Sequence, residues 1–455
     1  MNTYKEFQNR RETLGRRLAR NSIAIISNSD ESIRNRDCNY PFRSDSYFHY
    51  LSGFPEPEAV IFIIRSVRPR SILFCKSKDE SKEVWDGYIF GPEEAAKKFL
   101  FDETYPLEEI DRLAPKILKK FKEECSDSPL YYLLSSSRKI ETDLTSEQWA
   151  GHKNIENLKK WTGQKDIQNQ CMDIRKALDP MRYLKSKNEI DNMQKSANIA
   201  AQAHIHAMSI TKPGKYEYQI EGEILNQFMQ NGARYPAYGS IIAGGDNACT
   251  LHYVSNASIL KDGDLLLIDA GCELENYASD ITRTYPINGK FSPAQKDIYQ
   301  IVLEAQKKAI NKVIPGKYFD EPHKAAVEII VNGLIDLKIL KASRDEIFEK
   351  ELYKEFFMHR TSHWLGLDVH DAGQYFDGFS KDGKPKPVRF QDTNVLTIEP
   401  GCYIKPNTNV PEEFWGIGIR IEDDVLVTAS GNKVLSSDAP KEIEDLEAII
   451  GSLND

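Results

Sequence analysis

The first ~175 residues alternate short apolar runs with charged stretches whose hydrophobic residues recur at helical spacing. This alternation is typical of an α/β domain, in which helices pack against a sheet. The apolar runs are predicted as strands: Ile23–Ser27, Tyr47–Ser52, Ala59–Ile64, Ser71–Cys75 and Leu130–Leu134. The longer amphipathic stretches are predicted as helices: Lys5–Ala19, Pro92–Phe101 and Glu108–Glu124.

The rest of the chain repeats one coarse order of elements, in which two helices precede a β-rich region. The first copy is predicted as helices Lys187–Met208 and Tyr218–Asn231, then strands Asp264–Ala270 and Ser279–Tyr285, joined across Glu273–Tyr277. The second is predicted as helices Pro293–Val313 and Pro322–Leu334, then the β-rich stretches Asn394–Ile404 and Gly416–Thr428. The repeat predicts two related α+β halves that face each other.

A polar stretch, Gly151–Gln170, leads from the first part of the chain to the charged segment Lys176–Ser186, which contains a proline. We therefore place a domain boundary near residue 175, which gives an N-terminal α/β domain of residues 1–175 and a C-terminal α+β domain of residues 176–455. Two domains also agree with the length of 455 residues, because single cores stop growing beyond ~250–300 residues.

Composition and charge narrow the class of protein. The net charge of −9 argues against general binding to nucleic acid or an anionic membrane, and no apolar run approaches the ~20 residues of a membrane span. The basic N-terminus, Met1–Asn21, has Phe7, Leu14 and Leu18 at helical spacing, which predicts an amphipathic helix rather than a transit peptide. The 7 Cys include no CxxC pair, which favours reduced thiols in a cytoplasmic protein.

Four acidic residues occupy matching positions at the ends of predicted strands. Asp269 ends an apolar run, and Asp280 begins the returning strand. This pair alone favours an ordinary hairpin, because Asp is common near turns. Glu399 and Glu422 occupy the equivalent places in the second half. If the halves face each other, the four carboxylates converge, and such buried negative charges require cations.

Histidine supplies a fifth candidate ligand. The segment Met358–His370 holds three of the chain's 9 His, and His363 is at its centre. One imidazole with four carboxylates is a hard, mostly oxygen ligand set, which suits Mn²⁺ and tolerates Co²⁺, Zn²⁺ or Fe²⁺. The sequence therefore predicts two divalent metal ions ~3.5–4 Å apart, with manganese favoured, that activate a water for hydrolysis.

Several motifs resemble the metallopeptidase signatures of aminopeptidase P (Xaa-Pro aminopeptidase): Leu267–Glu273, Ser279–Thr284, Ser362–His370 and Gly418–Asp423. The stretch Arg43–Ala59 is similar to the non-catalytic N-terminal domain of that family, so the likeness covers the whole chain. The resemblance implies a pita-bread (creatinase/aminopeptidase) fold for the C-terminal domain. It also implies an aminopeptidase that releases the N-terminal residue from peptide substrates with proline in second position.

The resemblance gives each candidate ligand a role. Asp280 and Glu422 would bridge the two metal ions, Asp269 would bind the second ion, and His363 and Glu399 would bind the first. Glu399 would also take the proton from the attacking water.

Other side chains would act on the substrate or support the ligands by the same resemblance. His252 would position the substrate near the leaving residue. His359 and His370 would line the cleft, with His370 stabilising the oxyanion. Arg420 would pair with neighbouring acids or with the end of the substrate chain, and Tyr238 would support a bridging Asp.

Further residues receive a structural interpretation. His204, His206 and His323 are interpreted as structural or solvent-facing. Trp85 resembles a Trp that the family offers to a neighbouring subunit's cleft, but packing within its own domain is the preferred interpretation. The resemblance also suggests a homodimer or homotetramer that forms through the N-terminal domain.

Two alternatives stay open. A prolidase, which cleaves X-Pro dipeptides only, would share the ligands, although the full N-terminal domain favours the aminopeptidase. A non-peptidase pita-bread protein, such as a creatinase-like amidinohydrolase, is disfavoured because all five ligands are present. Arg360, where the family more often has a small residue, and the charged loop Gln374–Arg389 would shape the cleft mouth and leave the preferred substrate length open.

Overall fold

The computed structural model describes residues 3–124, 129–133, 151–167, 170–381 and 383–451. Contacts divide the chain into two compact units, Met1–Met181 and Arg182–Asp455. The predicted boundary near residue 175 lies at the first residue of the helix Arg175–Arg182, and the units divide at the end of that helix. Among the described residues, no helix combines the length and the apolar character that a membrane span requires.

The first unit is a mixed β-sheet with helices. Its helices are α1 (Thr3–Arg17), α2 (Ser46–Ser52), α3 (Glu80–Asp86), α4 (Gly91–Phe99), α5 (Ile110–Glu124), α6 (Gly151–Thr162) and α7 (Arg175–Arg182). Its strands are β1 (Ser22–Ser27), β2 (Ile33–Asn35), β3 (Cys38–Asn39), β4 (Val60–Arg65), β5 (Arg70–Cys75), β6 (Glu103–Pro106), β7 (Leu130–Tyr132) and β8 (Cys171–Asp173).

The sheet of the first unit has the strand order β6-β5-β4-β1-β7-β8, and β2 pairs only with β3. Strand β1 runs antiparallel to β4 and parallel to β7, with Ile25 opposite Phe62 in the first pair. Its apolar residues are buried, as the sequence predicts for a central strand. Strands β1, β4, β5 and β7 confirm four of the predicted strands; Leu134, the end of the last of these, lies outside the described residues.

One predicted strand of this unit is wrong. The segment Tyr47–Ser52 forms helix α2, because the Asp45 carboxylate accepts hydrogen bonds from the N–H groups of Tyr47 and Phe48, both at 2.9 Å. Gly53 then ends the helix in a left-handed conformation, with φ of 59°. The aromatic residues of Tyr47–Ser52 are also typical of a strand, but the capping residues Asp45 and Gly53 stabilise a helix.

Two further segments of this unit differ from what their composition alone indicates, and for Trp85 the preferred interpretation is wrong. The polar stretch Gly151–Gln170 contains helix α6, whose Leu158 and Trp161 are buried against the sheet. Trp85 does not pack within its own unit, as preferred above, since it is 86% exposed on α3.

The second unit is α+β. Its helices are α8 (Lys187–Ile210), α9 (Glu217–Gln230), α10 (Pro293–Ile310), α11 (Glu321–Asp336), α12 (Arg344–Glu349) and α13 (Ile443–Gly451). Its strands are β9 (Tyr235–Pro236), β10 (Ile241–Gly244), β11 (Leu265–Asp269), β12 (Cys272–Leu274), β13 (Tyr277–Ala278), β14 (Thr282–Pro286), β15 (Phe376–Phe379), β16 (Pro385–Pro387), β17 (Val395–Ile398), β18 (Gly401–Ile404), β19 (Ile417–Arg420), β20 (Asp423–Thr428) and β21 (Gly431–Val434).

The predicted repeat is confirmed and is more detailed than the sequence indicates. In the first half, β11 pairs with β14, and the small hairpin β12/β13 is inserted between them along the chain. In the second half, β17 pairs with β20, and β18 and β19 pair with each other between them. The segment Glu273–Tyr277 is therefore not a plain connection, as predicted, but belongs to the inserted hairpin.

Direct contacts join the two halves. Glu422 N–H donates to Thr282 O at 3.1 Å, so the chain before β20 runs antiparallel to the start of β14. Beside it, Thr284 Oγ1 donates to Arg420 O at 3.0 Å. The strand ends that carry the acidic residues are thereby brought to one place.

Candidate metal centre and active site

The first pair of acids is positioned by a close approach of two backbones. Asp269 is the last residue of β11, and Asp280 precedes β14. Between them Gly271 lies so near the returning chain that a Cβ atom there would be 1.8 Å from Ser279 O. Only glycine permits this crossing. Ala270 N–H then donates to Ile281 O at 3.0 Å, which fixes both carboxylates at one end of the strand pair.

The second pair repeats this arrangement. Glu399 directly follows β17, and Glu422 directly precedes β20. A glycine again comes two residues after the first acid, and a Cβ atom at Gly401 would lie 2.5 Å from the Tyr403 hydroxyl. Ile421 N–H donates to Pro400 O at 3.3 Å, so the two backbones are again hydrogen-bonded at the crossing, here with the donor on the other chain because proline has no N–H. Both halves therefore present an acid on each side of the same kind of backbone crossing.

His363 is held between these acids by its own backbone. Its N–H donates to Thr397 Oγ1 at 3.2 Å, and its carbonyl accepts from Thr397 N–H at 2.9 Å. The ring Nδ1 lies 3.1 Å from the carbonyl oxygen of Trp364, which requires Nδ1 to carry a proton. The opposite nitrogen, Nε2, faces Asp280 Oδ2 at 3.5 Å and Glu399 Oε1 at 3.7 Å.

The structure brings the five predicted ligands into one cluster. Asp280, His363 and Glu422 each offer a ligand atom within 4.8 Å of the others. Glu399 adjoins this group through His363. Asp269 adjoins it through Tyr238, whose hydroxyl lies 2.6 Å from Asp269 Oδ1 and 2.5 Å from Asp280 Oδ1. Tyr238 thus contacts two of the acids, including the predicted bridging Asp.

The electrostatics of the cluster fit a bound cation. Burial raises the pKa of Asp280, and the charge of Asp269 adds to the effect. Burial also raises the pKa of Glu422 well above its ordinary value, with Asp280 as the next cause. For Glu399, burial and the neighbouring acids outweigh His363 and Arg420 and raise the pKa to about 7. Hard oxygen donors whose charges are this poorly compensated are suited to divalent metal ions.

Arg420 forms hydrogen bonds that link acids of the cluster to neighbouring hydroxyl groups. Its guanidinium donates to Asp269 Oδ2 at 2.6 Å, to the Tyr403 hydroxyl at 3.0 Å and to Thr282 Oγ1 at 3.1 Å. Arg420 was predicted to pair either with neighbouring acids or with the end of the substrate chain, and in the structure it pairs with the acid Asp269. Thr282 Oγ1 in turn donates to Glu422 Oε2 at 2.7 Å, so one hydrogen-bonded chain joins acids from both halves.

Three histidines lie around this cluster. The pKa of His359 is lowered to about 3, mainly by burial and by the charge of Arg420, with a smaller contribution from His252. Its Nε2 lies 2.8 Å from the Tyr403 hydroxyl. The centroid of the His370 ring lies 4.2 Å from that of His363. The pKa of His370 is lowered to about 3 by the charge of His363, by partial burial and by His252. The imidazoles of His359 and His370 are therefore neutral at physiological pH.

Sequence reasoning missed three polar residues of the site. Thr282 and Tyr403 connect Arg420 to Glu422 and His359, respectively. Asp424 accepts the backbone N–H of Asp280 on both carboxylate oxygens at 3.2 Å. A signal was present for Asp424, because alternation along β20 places it on the same face as Glu422.

The three histidines that were interpreted as structural or solvent-facing each have a different hydrogen-bonding or ion-pair partner. His204 is buried, and its Nε2 lies 3.0 Å from Ala270 O, behind Asp269. His206 pairs with Glu223 at 3.2 Å on the helix surface. His323 lies 2.8 Å from Thr361 Oγ1, and burial lowers its pKa to about 4. Arg360, which is expected to shape the cleft mouth, is exposed.

Comparisons with known proteins agree with this geometry. Residues 191–429 match the sequence model of metallopeptidase family M24, and residues 7–125 match that of the aminopeptidase P N-terminal domain. The Xaa-Pro aminopeptidase of Haemophilus influenzae is 42% identical over 98% of this chain and 97% of its own length. The Xaa-Pro aminopeptidase of Escherichia coli is 39% identical over 98% of this chain and 97% of its own.

Solved structures give the same result. Pseudomonas aeruginosa aminopeptidase PepP superposes with a TM-score of 0.89 at 40% identity, covering 99% of this chain and 98% of that one. Escherichia coli aminopeptidase P with the inhibitor Pro-Leu gives a TM-score of 0.89 at 38% identity, covering 99% of both chains. The second unit therefore has the pita-bread fold, and the chain belongs to the aminopeptidase P group of metallopeptidase family M24, which makes it a hydrolase of the metallopeptidase class.

Proposed function

We propose that this protein is a two-metal Xaa-Pro aminopeptidase that releases the N-terminal residue from peptides with proline in second position. The observation that carries the proposal is the convergence of Asp280, His363 and Glu422, with Glu399 and Asp269 adjoining them. The relatives from Haemophilus influenzae and Escherichia coli named above are both Xaa-Pro aminopeptidases.

The metal site would hold two divalent ions, with manganese preferred over cobalt, zinc or iron. Asp280 and Glu422 would bridge the ions, His363 and Glu399 would bind one, and Asp269 the other. Bound ions of this kind supply a Lewis acid for the scissile carbonyl and lower the pKa of a bound water.

The side chains of this protein would perform the remaining steps. Glu399 accepts a proton at Oε2, the oxygen that faces His359 Nδ1 at 3.6 Å. His370 is neutral and can donate one N–H to the oxygen that becomes negative in the tetrahedral intermediate. His252 holds the substrate near the leaving residue. Arg420 and Tyr238 keep the acids in place through the hydrogen bonds described above.

This chemistry is compatible with proline. The bond before proline is a tertiary amide without an N–H, and the residue before proline is conformationally restricted. A site that binds the free amine and the carbonyl does not need the missing donor. Neutral histidines around the metal ligands can accept or donate hydrogen bonds without repelling a peptide amine.

The assembly and the location are part of the same proposal. We propose a homodimer or homotetramer formed through the N-terminal unit, which is supported by the exposed apolar side chains of Trp85, Val84 and Tyr88. We propose a cytoplasmic location, which is supported by free thiols at six cysteines of the described residues. Cys125 lies outside the described residues.

Peptide cleavage tests the function. Chelator-treated protein is reloaded with Mn²⁺, Co²⁺, Zn²⁺ or Fe²⁺ and is given an X-Pro dipeptide, a longer X-Pro peptide and the same longer peptide with alanine in place of proline. We expect Mn²⁺-dependent release of the first residue from the longer X-Pro peptide, and little release from the alanine peptide. Cleavage of the dipeptide alone would identify a prolidase and contradict the proposal. A protein that binds no divalent metal near neutral pH would contradict it as well.

A further inference from the structure

A fully buried carboxylate, that of Glu217, lies outside the metal cluster and holds a loop together. Glu217 is the first residue of α9 and is 0% exposed. Its Oε1 accepts hydrogen bonds from Gly244 N and Asn247 Nδ2, each at 2.9 Å. Its Oε2 accepts from the Tyr253 hydroxyl and from Ser258 N, each at 2.8 Å. Each oxygen therefore receives two donors, which satisfies an ionised carboxylate without a cation.

All four donors belong to residues 244–258, the segment that carries His252. Two donors precede His252 in the chain and two follow it, and Tyr253 is its immediate neighbour. The backbone of Glu217 adds a further contact, since its N–H donates to Ser258 O at 3.0 Å. A single buried side chain thus fixes both ends of the segment.

The same segment also packs against β19 and the residue before it. A Cβ atom at Gly418 would lie 2.5 Å from the backbone of Ala248, and one at Gly416 would lie 2.1 Å from Asp246 Oδ1. The segment therefore contacts both α9 and β19, the strand that ends at Arg420. Little displacement is possible while both contacts persist.

The His252 side chain has no comparable anchor of its own. It is exposed, and within the described part of the chain its ring makes no hydrogen bond or ion pair. It lies near enough to His359 and His370 to contribute to the lowered pKa of each, after the larger causes given above. The position of the ring is consequently determined by the backbone on either side of it.

We propose that Glu217 is a positioning residue for the peptidase reaction, which acts by holding the 244–258 segment so that His252 faces the substrate. The inference rests on the proposed function, because it assigns Glu217 to the substrate-contacting role proposed for His252. It adds a residue that is remote from the metal ligands in sequence and does not touch them.

Glutamine cannot replace Glu217 in this role. An amide group has one acceptor oxygen, so its NH₂ group would face one of the two pairs of donors. The Tyr253 hydroxyl and the Asn247 side chain can reorient, but the backbone N–H of Gly244 or of Ser258 would then lose its acceptor. The segment would move to recover that hydrogen bond, and His252 would move with it.

The test compares Glu217→Gln with two other variants of the full-length, Mn²⁺-loaded protein. Tyr253→Phe removes one of the four donors and keeps the ring. Glu221→Gln makes the same chemical change one turn further along α9, where the side chain makes no hydrogen bond or ion pair with the described residues of the segment, and serves as the control. For Glu217→Gln we expect kcat/KM on a longer X-Pro peptide to fall at least about tenfold with unchanged metal content, since small misplacements of positioning groups are costly. Tyr253→Phe should give a smaller loss, and Glu221→Gln none.

A second background separates positioning from a general structural role. His252→Ala is combined with Glu217→Gln, and we expect Glu217→Gln to cause less than about twofold further loss there, because two changes that act through one group are not additive. Equal losses in both backgrounds, or full activity of Glu217→Gln, would overturn the inference. If Glu217→Gln does not fold, Tyr253→Phe is compared in the same two backgrounds. Its loss of activity should again be smaller in His252→Ala than in the wild type, and equal losses would overturn the inference.

Hydrogen exchange gives a readout that does not depend on turnover. In Glu217→Gln, amides of residues 244–258 should exchange faster than in the wild type, whereas in Glu221→Gln they should not. If the wild type is active but the exchange rates of residues 244–258 are unchanged in Glu217→Gln, the inference is overturned and the proposed function stands. A wild type that hydrolyses no X-Pro peptide instead contradicts the proposed function.

Discussion

At the scale of single residues, the buried carboxylates of the metal cluster lower the free energy of unfolding of the metal-free protein. Glu422 is 2% exposed, and burial with Asp280 nearby raises its pKa well above the ordinary value. A carboxyl group whose pKa is raised on folding opposes folding at any pH above its unfolded value of about 4.3, because the ionised form is disfavoured in the native state. A buried acid that destabilises its own fold is typical of a functional site.

This leads to a prediction for Glu422→Gln. Glutamine keeps the shape and removes the charge, so metal-free Glu422→Gln should unfold at a temperature equal to or above that of metal-free wild type at pH 7 to 8. Its affinity for Mn²⁺ should fall by more than about tenfold, and peptide turnover should be abolished, because one of the proposed metal ligands is lost. Differential scanning calorimetry with chelator and with Mn²⁺ measures the unfolding temperature and the metal affinity, and a peptide-cleavage assay measures the turnover.

The matched control for this prediction is Glu413→Gln, since Glu413 is an exposed acid of the same half. It should retain the metal-induced rise in unfolding temperature. A Glu422→Gln protein that keeps this rise, or that is active, would refute the bridging role of Glu422.

At the scale of elements, the loop that follows His363 is fixed by a buried ion cluster. Asp371 N–H donates to Trp364 O at 2.8 Å, which folds the loop back on itself. The Asp371 carboxylate, 2% exposed, pairs with Lys185 at 2.9 Å and with Arg182, whose side chain is 1% exposed. Burial alone would raise the pKa of Asp371, but Lys185 and Arg182 lower it to about 2. The loop that carries His370 is therefore held by charges that are almost completely shielded from water.

Asp371→Asn should destabilise the protein by about 3–5 kcal/mol at pH 7, since two buried cations lose a partner. The pKa of Asp371 is lower in the folded state than its unfolded value of about 3.9, so its stabilisation is fully present above about pH 5 and is lost as the pH falls towards about 2. The difference in thermal unfolding between wild type and Asp371→Asn should accordingly shrink on acidification. Calorimetry from pH 7 down to pH 3 measures this.

Asp368→Asn is the control for that series. Asp368 also pairs with Arg182, at 2.7 Å, but its side chain is 43% exposed. Exposed pairs contribute about 0–1 kcal/mol, so the control should cost little at any pH. Similar losses in the two variants would contradict the role given to burial.

At the scale of the whole molecule, the exposed aromatic side chain on α3 bears on assembly. Trp85 and its neighbours Val84 and Tyr88 present apolar area to solvent in the N-terminal unit. Buried Trp side chains often contribute more to an interface than other residue types. If the proposed assembly uses this surface, Trp85 is the residue whose loss should matter most.

Trp85→Ser should therefore raise the dissociation constant of the oligomer by at least about tenfold, which corresponds to about 1.4 kcal/mol. Light scattering on a dilution series after size-exclusion chromatography measures the change. Val67→Ser serves as the control, because Val67 is an exposed apolar residue outside this surface and its loss should leave the oligomer unchanged. A wild type that is monomeric at micromolar concentration, or equal constants for both variants, would contradict the role of Trp85.

The sequence by itself determined the local parts of this protein. Continuous apolar runs, such as Ile23–Ser27, and long helical periodicities, such as Lys187–Met208, are properties of adjacent residues and were predicted correctly. So was the repeated order of helices and strands, and with it the matching positions of the four acids. The identity of the chemistry followed from residue types at the ends of strands, because a carboxylate after an apolar run is costly unless a ligand satisfies it.

Only the tertiary structure decided which side chains meet. Thr282 and Glu422 are far apart in the chain, and their hydrogen bond depends on how the two halves pack. Arg420 contacts Asp269 for the same reason. The inserted strands β12 and β13 are too short to leave a periodic signal, and α2 depends on the cap at Asp45 rather than on hydrophobicity. Local pattern thus determined the elements and the candidate ligands, whereas long-range packing decided the geometry in which those ligands converge.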